Sequence, residues 1–220
     1  MTIYLNKFEK LAQNKVAYIP IGTIEWHGNY SPIETDLLVA KKLCEEISKE
    51  YPGYVLPPFY MGAYGREIID GQEMRGMERK LKKKLVGSIY FLETDLLKKV
   101  LESLIENLKQ QGFSKIVVIT GHGGSNQTEI LNRIGEIDGV LAIDPYEPVT
   151  IHHANEGEIS VLWACYPKEE RKARSMAKDD NLINYYGHDP IEKSSLEYGK
   201  GLLEKMLKSI REKVSDFLGS

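Results

Sequence analysis

Apolar and polar positions along the chain follow two periods. Residues 16–21 (VAYIPI) form a short unbroken apolar run that ends at Gly22, and residues 36–51 then carry Leu37, Ala40, Leu43, Cys44 and Ile47 at helical spacing. The pattern predicts strand, loop, helix. A second apolar stretch at 54–56 is stopped by Pro57 and Pro58. It opens a long segment, 59–90, with Gly62, Gly65, Gly71, Gly76 and Gly87 scattered through it, and such segments in compact domains are often functional. Thr94 is a candidate N-cap for an amphipathic helix with Leu97, Leu101, Leu104, Ile105 and Leu108 on one face, ending at Gly112. Residues 115–120 (KIVVIT) read as a fully buried strand. After GHGGSN come a helix over about 127–137, a strand over 140–143, an irregular 145–153 and a helix over 156–166. A basic, polar stretch at 168–178 precedes Gly187-His188-Asp189-Pro190 and a last long helix with Leu196, Leu203, Met206 and Ile210 on one side. Strands that are apolar throughout and alternate with helices indicate an α/β fold with a mostly parallel central sheet covered on both faces.

Length and composition narrow this picture. A chain of 220 residues suits a single domain spanning 1–220, and 42% hydrophobic residues exclude disorder as a description of the whole. Cys44 and Cys165 lie inside apolar periodic segments and form no C-x-x-C pair, which predicts buried thiols in a reducing compartment and excludes a thiolate metal site. Residues 1–15 are mixed polar without the apolar core of a leader, and no apolar run approaches ~18 residues. The expectation is a soluble cytoplasmic protein with neither a nucleic acid nor a membrane as partner.

In parallel sheets, ligands bind beyond the carboxyl ends of the strands, where all strand-to-helix loops open. The first such loop holds Glu25 and His27 and leads to Asp36 at the mouth of the helix; the loop after 115–120 holds His122 among Gly121, Gly123 and Gly124. Two carboxylates and two imidazoles form a mixed oxygen and nitrogen set suited to Zn, Mn or Fe(II). A third group comes from His152, His153, Glu156 and Glu158. Taken singly, Asp36 or Glu158 reads more often as a helix cap or dipole partner than as a ligand, and Glu25-Trp26-His27 reads as a surface loop. Their joint position on one sheet edge favours a site. The P-loop, the dinucleotide fingerprint, H-E-x-x-H, the zinc deaminase pattern and the nucleophile elbow are all absent from the sequence.

These loops resemble the creatininase (creatinine amidohydrolase) family. The segment 21–28 (IGTIEWHG) with Pro32-Ile33-Glu34-Thr35-Asp36 is similar to its first metal motif, and Gly121-His122-Gly123-Gly124 to its second. His153-Ala154, followed by Glu158 and Ser160, is similar to H-A-G-x-x-E-T-S, and Gly187-His188-Asp189-Pro190 also has a counterpart. The resemblance implies a three-layer α/β/α fold, two divalent metal ions, and hydrolysis of a small-molecule amide or formamide by a metal-bridged hydroxide, commonly in a homo-oligomer. It implies that Glu25 and His122 hold one ion, that His27 holds the other, and that Asp36 bridges them. Gly124 stands where creatinine-cleaving members place a glutamate, so Glu158 is the expected carboxylate of the second ion. Tyr30, Asn155 and Ile159 replace histidine, glycine and threonine. Neither Trp26 nor Trp163 is placed like the tryptophans that close over creatinine. His153 is the expected catalytic residue, protonating the leaving nitrogen or stabilising the oxyanion, with His152 as its rival. The Pro32 to Asp36 wording resembles an archaeal branch that deformylates a formylamino-pyrimidine ribotide. The basic run Arg79, Lys80, Lys82, Lys83, Lys84 would attract its phosphate or else form a solvated face. Peptide trimming and a non-catalytic metal-binding scaffold are the alternatives.

Overall fold

The structure, a computed structural model, describes residues 4–60, 62–89 and 91–219. The first half runs α1 (Leu5–Ala12), β1 (Val16–Ile21), α2 (Thr35–Glu50), β2 (Tyr54–Val55), β3 (Gly62–Ala63), β4 (Arg66–Ile69), β5 (Gln72–Arg75), α3 (Met77–Leu81), β6 (Phe91–Leu92) and α4 (Thr94–Gln110). The second runs β7 (Lys115–Thr120), α5 (Ser125–Gly135), β8 (Val140–Ile143), α6 (Glu156–Cys165), α7 (Lys168–Arg174), α8 (Asp180–Tyr186), α9 (Pro190–Lys193) and α10 (Leu196–Leu218).

The central sheet has the order β2-β1-β7-β8, with every pair parallel. Its strands are apolar along their central positions because both faces are covered, with Lys115 and Thr120 at the two ends of β7. Val16 and Tyr18 of β1, with Val117 and Ile119 of β7, pack against Val39, Leu43, Val161, Met206 and Ile210 of α2, α6 and α10. Ala17, Ile19 and Ile21, with Ile116 and Val118, pack on the opposite face against Leu97, Leu101, Ile130 and Ile134 of α4 and α5. This is the three-layer α/β/α arrangement. Cys44 and Cys165 are buried free thiols. Among the described residues no helix is long and apolar enough to cross a membrane.

Three local expectations change. Helix α4 is N-capped by Glu93 and begins at Thr94, whose hydroxyl instead accepts from Asn126 Nδ2 at 3.2 Å. Residues 5–12 form a helix, because Phe8 packs edge-on against Tyr54 at 5.0 Å and Phe113 at 5.8 Å. The long glycine-bearing segment contains an antiparallel hairpin, β4 to β5, turned by Asp70 at φ 50° and Gly71 at φ 75°. An Asp-Gly pair with both residues at positive φ is the favoured two-residue hairpin turn.

Candidate metal centre

The centre lies where β1 and β7 end side by side, with Ile21 paired to Thr120. Each strand is followed by a glycine, and both glycines meet the first turn of α2. A Cβ on Gly22 would sit 2.8 Å from Asp36 Cβ, and one on Gly121 would collide with the Asp36 carbonyl oxygen. Glycine at both strand ends therefore lets the helix start directly on the sheet edge, which delivers the Asp36 carboxylate between the two loops. Asp36 does not cap its helix: the N-cap is Glu34, without a side-chain bond.

Asp36 divides its two oxygens. Oδ1 is 3.1 Å from His27 Nε2, and Oδ2 is 3.0 Å from His122 Nδ1. Glu25 Oε1 lies 3.4 Å from the same His122 nitrogen, and Glu158 Oε2 lies 3.5 Å from His27 Nε2. Glu25, Asp36 and His122 form one group able to hold an ion, and His27, Asp36 and Glu158 form a second. Each histidine spends its other nitrogen on a backbone carbonyl: His27 Nδ1 on Glu25 at 3.0 Å, His122 Nε2 on Ala63 at 3.2 Å. Donation to those carbonyls leaves the cluster-facing nitrogen free to ligate.

His153 is built the same way, with Nε2 donating to the Trp26 carbonyl at 2.5 Å and Nδ1 2.9 Å from Glu25 Oε1. With Glu25 and His27 it makes a third group able to hold an ion. Ala154, at φ 55°, turns the chain between His153 and α6. Asn155 caps α6 by accepting from Gly157 and Glu158 amides, while the Glu158 carboxylate accepts from Ala154 N. Glu158 thus both holds the backbone ahead of its helix and reaches the cluster.

Burial and mutual pairing set the charges. Burial disfavours imidazolium, yet the carboxylates of Glu158 and Asp36 push His27 up to about 10. His122 is likewise raised well above the usual histidine value, against burial, by Glu25 and Asp36. Burial raises Glu25, but His153 and His122 outweigh it and hold the carboxyl well below the usual range. Asp36 is lowered in the same way by His27 and His122. Glu158 is raised by its burial. The convergence of three buried carboxylates thus favours the charged form of His27 and His122 against the cost of burial.

A cavity of about 760 Å³ opens over the centre, lined by Glu25, Asp36, His122, His153 and Glu158. His152 also lines it. His188 does not: it pairs with Glu156 at 3.3 Å, with Gly187 and Asp189 ending α8 and capping α9. Tyr30 and Ile159 share one apolar cluster with Trp163 behind the loops. Tyr30 accepts from Asp179 N at 3.0 Å and Asp179 Oδ2 accepts from Asn29 N at 2.9 Å, which moors the first loop to α8. Sequence reasoning missed the cavity's aromatic wall, Tyr64, Tyr146, Tyr185 and Tyr186. No pattern marked it, since Tyr146 lies in an irregular stretch and donates to the Gly121 carbonyl at 2.8 Å. The basic run divides: Arg79 and Lys80 line the cavity, whereas Lys83 bonds Asn181 Oδ1 at 2.8 Å and Lys84 bonds Glu78 Oε2 at 3.0 Å.

Comparison with known proteins follows the same lines. The chain is similar to solved structures of a manganese creatininase (16% identity, TM-score 0.71, 97% of this chain and 96% of that one) and of a mutant creatininase of Zn-Zn type (16%, 0.68, 97% and 95%). A Bacteroides fragilis protein assigned as a creatinine amidohydrolase shares 20% identity at TM-score 0.69, over 97% and 93% of the two chains. At these identities the likeness establishes the fold. No curated protein matches the sequence. The family description Creatininase, creatinine amidohydrolase, matches residues 4–213. With that match over nearly its whole length, the chain belongs to the creatininase family of amidohydrolases.

Proposed function

We propose that this protein is a two-metal amidohydrolase that cleaves a small amide or formamide, with Glu25, Asp36 and His122 holding one divalent ion and His27, Asp36 and Glu158 the other. The observation that carries the reading is the division of the Asp36 oxygens between two ligand groups. The donor set, three carboxylates and two imidazoles with fixed outer nitrogens, suits Zn, Mn or Fe(II). When bound, such a pair polarises an amide carbonyl and lowers the pKa of water toward neutrality. The protein's own part is to fix the ligands, to leave a net positive charge where a tetrahedral oxyanion forms, and to move a proton. His153 does the last. Its Nδ1 faces the cluster, takes the proton that the attacking water loses and passes it to the departing nitrogen, while the Trp26 carbonyl at Nε2 steadies the imidazolium.

The preferred substrate is a formamide rather than creatinine. Trp163 is fully buried and Trp26 stacks on His153 at 6.4 Å outside the cavity lining, so the aromatic wall is tyrosine. The formylamino-pyrimidine ribotide is the finer reading, supported by the wording of residues 32–36. A homo-oligomer goes with the family reading. The test is elemental analysis of the purified protein, followed by formate or ammonia release from a panel of formamides, lactams and short amides. Two metals per chain with formate release is the expected result; metal without turnover on any member would leave a binding scaffold.

A further inference from the structure

The cavity has a cationic wall that amide hydrolysis itself does not use. Of the five residues of the basic run, Arg79 and Lys80 line it, whereas Lys83 and Lys84 are tied to Asn181 and Glu78. Arg79 Nε meets Glu67 Oε2 at 3.4 Å on the exposed side. Among the described residues, Glu67 is the one ion-pair partner of Arg79, and Lys80 has no ion pair. The carboxylates of the metal centre are committed to His27, His122 and His153 and leave Arg79 without a share. The guanidinium lies against the backbone, although the side chain is 38% exposed. A Cβ on Gly65 would collide with one of its terminal nitrogens, so glycine lets it lie against the backbone at the base of the β4–β5 hairpin. Gly76, at φ 50°, closes that base by donating to the Gly65 carbonyl at 3.3 Å. A cavity of about 760 Å³ also has room for far more than an amide, since ligand sites of roughly 300 to 1,000 Å³ take drug-sized molecules.

We propose that Arg79, supported by Lys80, is a specificity-determining residue that grips an oxyanion of the substrate, a phosphate or a carboxylate, so that the amides hydrolysed here carry such a group away from the scissile bond. A planar guanidinium fork held by Glu67 through Nε keeps its terminal edge to match either oxyanion bidentately. The inference rests on the amidohydrolase reading for its substrate, but the binding of an anion can be measured without turnover.

The test uses the metal-loaded protein and three formamides of similar size: N-formylglycine, N-formylaminomethylphosphonate and the neutral N-formylethylamine. Wild type should prefer an anionic member over the neutral one by at least tenfold in kcat/KM, mainly through KM, with phosphonate ahead if phosphate is the natural group and glycine ahead if carboxylate is. In Arg79→Gln that ratio should fall to near one, and Arg79→Lys should keep part of it. An unchanged ratio in Arg79→Gln overturns the proposal. If no formamide is cleaved by wild type, the amidohydrolase reading fails instead. Arg79 is then decided by titrating inorganic phosphate and acetate into both proteins: tenfold weaker binding of either in Arg79→Gln supports the anion site, and equal binding of both refutes it.

Discussion

Asp36→Ala should empty both metal positions, because Asp36 is the one side chain common to the two ligand groups that account for two ions. Its oxygens are directed separately, Oδ1 toward His27 at 3.1 Å and Oδ2 toward His122 at 3.0 Å. A floor on the loss follows from Coulomb's law. A carboxylate oxygen at a ligand distance of ~2.1 Å from a divalent ion is worth about 4 kcal/mol even at the dielectric constant of bulk water, or roughly a thousandfold in affinity at each ion. Burial of the carboxylate, 1% exposed, strengthens that attraction by excluding water, against the cost of desolvating the charge. Alanine keeps the Cβ that packs on Gly22 and leaves the helix backbone intact, so folding should survive. The assay is elemental analysis after dialysis against a weak chelator, with circular dichroism to verify the fold. Glu25→Gln and Glu158→Gln serve as comparisons, each expected to lose one ion. A folded Asp36→Ala protein that retains two metals per chain would refute the bridging role, and one that retains a single metal would confine Asp36 to one group.

Glu158→Gln should keep one metal and weaken the other by more than tenfold, since glutamine preserves the bond from Ala154 N but not the charge; unchanged affinity would turn attention to Glu156 or Glu34. His153→Asn should lower turnover by ~10²-fold or more with metal content and KM nearly unchanged. Metal loss in that variant would make His153 a ligand, and abolition of turnover by His152→Asn alone would transfer the role to its neighbour. Gly121→Ala should cost at least ~1–3 kcal/mol of stability and release metal, because the new methyl drives the first turn of α2 off the strand ends; a thermal melt equal to wild type would show the contact to be slack. For pH, His27 is raised in the folded state to about 10 from an ordinary 6.5, so its stabilisation of metal-free protein is full below about 6.5 and is lost as pH rises through 10. Bound metal takes the place of that proton, so the difference in Tm between loaded and metal-free protein should widen from pH 7 to pH 10, and a difference that narrows would contradict the protonated cluster.

How far these features are legible without coordinates depends on the range of the interaction behind them. Strands β1, β7 and β8 fall where the apolar runs are, because a strand covered on both faces is apolar along its centre. Helices α2, α4 and α10 carry a 3.6-residue periodicity because each buries one face, whereas α6 is buried on nearly every side and reads as an apolar run; their starts fall within a residue of the expected ones. The edge on which the candidate ligands gather was legible too, since a parallel sheet opens all its strand-to-helix loops on one edge. Hairpin β4–β5 was marked by Asp70-Gly71 but escaped notice because its strands are short and largely exposed, with no apolar alternation to flag them. Helix α1 exists through Phe8 meeting Tyr54 and Phe113, contacts that span most of the first half of the chain.

The chain order alone determined which side chains could ligate and to which edge they belong. Only the tertiary structure decided how they divide. Glu25 and His122 are far apart in sequence and come within 3.4 Å because β1 and β7 pair in register up to Ile21 and Thr120. The separate direction of the two Asp36 oxygens, the carbonyl that each imidazole engages, and the selection of Arg79 and Lys80 from a run of five basic residues all follow from that packing. These are distances through space, set by strand register and by glycines that admit a helix to the sheet edge, and a spacing along the chain carries no measure of them.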